Sequence, residues 1–155
     1  MQPAYAILLM MHSSRHDHYR IQLLHSDRRT LLRAAAHCLA TEPGGVAATL
    51  QAIRHDIPTI TQKPERTLKE GKNVSASVWH HGKHHELFVI GDESVLSACS
   101  LTENEREQLQ LALRRADTYR EEGIVVASGI VNSSPHTLPK GSLQCHGVIF
   151  LSARY

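Results

Sequence analysis

His80-His81-Gly82-Lys83-His84-His85-Glu86-Leu87-Phe88-Val89-Ile90-Gly91 reads HHGKHHELFVIG, four histidines within six residues and then an apolar run. Either the imidazoles collect a metal ion or they decorate a turn between two strands. The flanks favour strands. Asn73 to His80 and His84 to Ile90 are short, rich in β-branched and aromatic residues, and bounded by polar residues and glycine, the pattern of neighbouring strands.

Working outward, Ala4 to Met11 (AYAILLMM) and Tyr19 to Leu24 are further candidate strands, with the polar segment Ser13 to His18 suited to a hairpin loop between them. Ser26 is placed to cap a helix whose stripe is Leu31, Leu32, Ala35, Cys38 and Leu39, and Pro43-Gly44-Gly45 ends it. A short helix is expected from Val46 to about His55. The polar segment from Asp56 to Gly71, with Pro58 and Pro64, reads as an irregular connection.

Glu93 to Ala98 reads as a helical turn or two. Thr102 and Glu105 form a capping box that opens a helix from Glu103 to Glu122, with Leu109, Ala112, Leu113, Ala116 and Tyr119 on one face and Gly123 as its C-cap. Strands follow at Ile124 to Val131 and Gln144 to Leu151. The expected fold is a single α+β domain over residues 1–155, a mainly antiparallel sheet of about six strands with helices packed on it.

Composition narrows the function classes. The chain has 155 residues, enough for a real core, and a formal charge of +2 with Lys and Arg scattered, which excludes a nucleic-acid partner. Its apolar runs are too short for membrane insertion, and Ala4 to Met11 has no basic segment before it, so no signal peptide is expected. Cys38, Cys99 and Cys145 are far apart and form no CxxC. That pattern reads as reduced thiols in a cytoplasmic protein.

The second half resembles the nucleotide-binding (N) domain of P-type cation-transporting ATPases. Gly71-Lys72-Asn73-Val74-Ser75-Ala76-Ser77-Val78 is similar to the family's RKxMSVxV, and Leu87-Phe88-Val89-Ile90-Gly91-Asp92-Glu93-Ser94-Val95-Leu96-Ser97-Ala98-Cys99 to FVKGAPExVLxxC. Thr102 opens the matching helix. Glu122-Gly123-Ile124-Val125-Val126-Ala127 stands where GLRVLA would be, and Leu143 to Leu151 resembles the closing strand. Upstream, Leu31 to Cys38 resembles LLxxAALC. The order of these segments over about three quarters of the chain carries the resemblance.

The resemblance implies an ATP pocket, and most of its contacts are missing. The KGA lysine falls on Ile90, followed by Gly91; the ring that stacks on adenine falls on Thr67; the arginine of GLRVLA falls on Val125; the acid of the GxxxE stretch falls near Ala48. Lys72 alone remains. Without the ring and the cations, ATP is expected to bind weakly or not at all. None of the aspartates Asp17, Asp27, Asp56, Asp92 and Asp117 stands in DKTGT, so no catalysis is expected from this chain alone. The implied partners are the remaining domains of such an ATPase, or another protein.

The family's turn between these strands fits Gly82-Lys83, since glycine reaches positive φ without strain. His81 then faces His84, and His80 faces His85, in two pairs on opposite sides of the hairpin. Each pair offers two imidazoles, enough for adventitious zinc or nickel but short of the four ligands of a structural site or three of a catalytic one. The alternatives are a histidine-rich metal-binding or regulatory module, resting on the count of twelve histidines, and a piece cut from a larger divergent ATPase. His37-Cys38 and Cys145-His146 invite a Cys-His nucleophile, but buried cysteine is commonly a small core residue.

Overall fold

The computed structural model describes residues 19–39, 49–69, 73–132 and 135–152. It is an α+β structure built on one six-stranded sheet in the order β1-β6-β5-β4-β3-β2, antiparallel throughout. The strands are β1 (Tyr19–Leu23), β2 (Arg66–Lys69), β3 (Val74–His81), β4 (His84–Gly91), β5 (Glu121–Val131) and β6 (Gln144–Ser152). From β2 to β6 the chain meanders across the sheet, and β1 completes it beside β6. Among the described residues both outer strands are short.

The sheet is covered on both faces. Helix α1 (Arg28–Leu39) and the 3₁₀ segment Gln51–Asp56 lie over Ile21, Trp79, Phe88, Ile90, Val126 and Ile149. Helix α2 (Glu103–Thr118) and the 3₁₀ segment Glu93–Ala98 lie over Val78, Leu87, Val89, Val125, Val148 and Phe150. Such two-sided cover explains why β4 reads as the unbroken apolar run Leu87-Phe88-Val89-Ile90 rather than an alternation.

The capping box is present: Glu105 N–H donates to Thr102 Oγ1 at 3.1 Å and Thr102 N–H to Glu105 Oε1 at 3.0 Å. The helix it opens is shorter than its sequence pattern. It ends at Thr118, and Arg120 takes the left-handed conformation, φ 58°, that Gly123 was expected to supply. Glu121 is already paired with Ser152 in β5, so the sheet ladder claims the last residues of the helical pattern. Gly123 serves packing instead, since a Cβ there would come within 2.5 Å of Leu113 Cδ2. Leu109, Leu113 and Ala116 face the core as expected, whereas Tyr119 is 71% exposed.

Other departures have equally local causes. The cap of α1 is Asp27, whose Oδ1 accepts from Thr30 N–H at 2.7 Å, and not Ser26, which turns inward to His146. Helix α1 is buried well beyond one stripe, Ala34, Ala36 and His37 included, because the segment carrying Leu50, Ile53 and Ile57 covers it from outside. Residues 49–50 are helical, and the chain then tightens to 3₁₀ over Gln51–Asp56, breaking at Ile53 (φ −117°, ψ 25°). The connection from Asp56 to Gly71 contains strand β2, which four mainly polar residues do not announce. The expected strand Ala4 to Met11 and the Pro43-Gly44-Gly45 helix end lie outside the described residues.

Candidate functional site

The hairpin between β3 and β4 turns on Gly82, at φ 60°, with His81 opposite His84 and His80 opposite His85, the register expected from the turn. The ring centroids of His80 and His85 are 5.1 Å apart at 49°. His85 Nε2 lies 3.3 Å from Glu65 Oε1, and its Nδ1 is buried without a hydrogen-bond partner among the described residues. On the other face His81 Nε2 meets Glu86 Oε1 at 3.2 Å. Glu65 and Glu86 are the companions that sequence spacing did not reveal. Among the described residues, no three His, Cys, Asp or Glu side chains come together in a metal-holding cluster.

The positions of the implied nucleotide pocket do not share one surface. Thr67 is exposed on β2, opposite Ser77, on the α1 face of the sheet. Ile90 points to that same face but is fully buried under α1. Val125, also fully buried, and Gly91, its partner across the ladder, belong to the α2 face. Gly91 is walled in: a Cβ would meet Asn73 O and Val95 Cγ2 at 2.7 Å. Lys72 lies outside the described residues.

A cleft of about 270 Å³ opens beside Gly91, lined by Asn73, Leu113, Ile124, the carboxylates Asp92, Glu93, Asp117 and Glu122, and a single guanidinium, Arg114. Its field is net negative and disfavours a triphosphate. The acids come from three separate elements, so nothing in the linear sequence groups them.

Buried polar groups concentrate in two other places. His146 joins Ser128 Oγ (2.7 Å, through Nε2) to Ser26 Oγ (3.0 Å, through Nδ1), bridging β5, β6 and the entry to α1. Burial holds its pKa below the usual imidazole value. On the α1 face Trp79 Nε1 donates to Ser77 Oγ (2.8 Å), and that hydroxyl donates to His37 O (3.1 Å). Neither Cys-His dipeptide makes a pair. Cys145 faces the α2 layer while His146 faces the opposite one, because successive strand residues alternate. The Cys38 thiol donates to Ser75 O at 3.8 Å, and burial pushes its pKa up to about 12, far from a reactive thiolate.

No protein-family model matches the chain, and no curated protein is similar to it. Among the described residues no helix is long and apolar enough to cross a membrane.

Proposed function

We propose that this chain is a binding module resembling the N domain of cation-transporting P-type ATPases, cytoplasmic, with no useful hold on ATP and no catalysis of its own. Each resembling segment coincides with an element in the expected order: β3, β4 running into Glu93–Ala98, α2, β5 and β6. The observation that carries the loss of ATP is the complete burial of Ile90, which stands in place of the phosphate-contacting lysine. The acidic cleft beside Gly91 acts in the same direction. What remains is a scaffold with two covered sheet faces, whose partner is the rest of a transport ATPase or another protein.

Amide chemical shifts followed during ATP titration test this. The expected result is no saturable shift around Thr67, Trp79 or Asp92 at millimolar nucleotide. Saturation below millimolar at these positions overturns it. A loss of stacking and charge contacts worth together about 3–6 kcal/mol weakens binding by two to four orders of magnitude.

A further inference from the structure

Cys99 and Cys145 stand together in the apolar layer under α2, exposed by only 1% and 2%. The backbone holds them there. Leaving the 3₁₀ segment, the chain makes a parallel bridge between Cys99 and Leu143. Ser100 N–H donates to Leu143 O at 2.7 Å, and Leu143 N–H to Ala98 O at 2.9 Å. Cys145 follows two residues after Leu143, and both side chains enter the same layer. The Cys99 and Cys145 side chains are thus neighbours in that layer, and Cys99 S–H donates to Val95 O at 3.4 Å. Cys38 lies in the opposite layer, across the sheet.

We propose that Cys99 and Cys145 are a reversible thiol–disulfide pair, oxidised by a hydroperoxide. The two sulfurs are interchangeable in the first step, and the product is the same. When Cys145 leads, its thiolate attacks one peroxide oxygen and the O–O bond breaks. The other oxygen leaves as water after taking a proton, giving a sulfenic acid. Cys99 sulfur, losing its proton, attacks Cys145 sulfur, and the S–O bond breaks to release a second water. Two thiols and one hydrogen peroxide thus give one disulfide and two waters, and two equivalents of a small thiol reverse the change.

Closing the sulfurs to about 2.0 Å falls on Cys99, which lies between the 3₁₀ segment and α2 and has no long ladder to break. The bond ties the entry of α2 to the interior strand β6. The remoteness of Cys38 makes the pairing unambiguous.

The folded chain treated with hydrogen peroxide, alkylated and digested without reduction tests the pair. The expected product is a peptide linking Cys99 to Cys145, reversed by dithiothreitol. It is lost in Cys99→Ala and Cys145→Ala and kept in Cys38→Ala. Oxidised wild type then has a higher denaturation midpoint than reduced wild type, and Cys145→Ala shows no such difference. Thiols left intact, sulfinic acids without a link, peptides containing Cys38, or a link that forms only in the denatured chain each overturn the proposal.

Discussion

His37 lies flat against Phe88, ring centroids 4.0 Å apart and planes within 9°, while Trp79 meets its edge at 4.8 Å. The ring is 5% exposed, and its Nδ1 pairs with Arg33 O at 2.8 Å. Burial is the main cause of its lowered pKa; the hydrogen bond to the Arg33 carbonyl and the Glu86 charge oppose it, while the charges of Arg33 and His81 add to it. His146 is lowered by burial as well. The unfolded chain therefore takes up these protons first, so stability is complete above an ordinary imidazole pKa of about 6.5 and is lost as pH falls below it. Denaturation midpoints between neutral pH and pH 5 are expected to fall, and to fall less in His37→Leu. Equal slopes in the two proteins would show that His37 is not one of the groups responsible.

Gly147 and Gly82 separate two meanings of positive φ. At Gly147, φ 141°, a Cβ would lie 2.2 Å from the backbone oxygen of Gln22 in the neighbouring strand. At Gly82, φ 60°, nothing lies within 4 Å. Gly82→Ala is expected to cost about 1–2 kcal/mol, the left-handed penalty alone. Gly147→Ala should cost more, because β1 must move. Equal losses by chemical denaturation would mean that β1 is not tightly docked on β6.

Leu109 is 1% exposed and Leu113 9%, while Tyr119 on the same helix is 71% exposed. Leu109→Ala should destabilise by about 2–5 kcal/mol, and Leu113→Ala toward the lower end of that range, since it borders the acidic cleft. Tyr119→Ala should stay within about 0.5 kcal/mol. A large effect at Tyr119 would signal that a partner or another segment covers it.

At the hairpin, zinc or nickel is expected to bind no tighter than micromolar, since each pair offers two imidazoles. His80 and His85 are the better pair, their rings 5.1 Å apart. Calorimetry on His85→Ala against His84→Ala distinguishes the faces. A stoichiometric ion that survives dialysis against chelator would contradict a two-imidazole site.

Restoring a lysine at Ile90 tests the burial of the implied phosphate contact. An ammonium placed there, under α1 and without a partner, is expected to destabilise by about 3–5 kcal/mol. Thr67→Phe, at an exposed position, should change stability by less than about 0.5 kcal/mol. If Ile90→Lys folds as well as wild type, the α1 face is open at that point.

Local signals in the sequence determined the hairpin with its His81–His84 and His80–His85 register, the Thr102–Glu105 capping box, the turn at Glu93–Ala98 and the mixed antiparallel class. Each depends on residues a few positions apart, where backbone sterics and capping hydrogen bonds act without help from the rest of the chain. Tertiary structure decided everything that depends on which face meets which. It ended α2 at Thr118, because the Glu121–Ser152 ladder outcompetes four more residues of helix. It drew β2 out of a polar connection, because four residues pair only when β3 is already there. It sealed Ile90 and Val125 on opposite faces, set Ser26 and Ser128 on His146, and brought Cys99 and Cys145 into one layer. Those contacts join residues far apart in the chain, and burial and strand register, which have no local signature, are what bring them together.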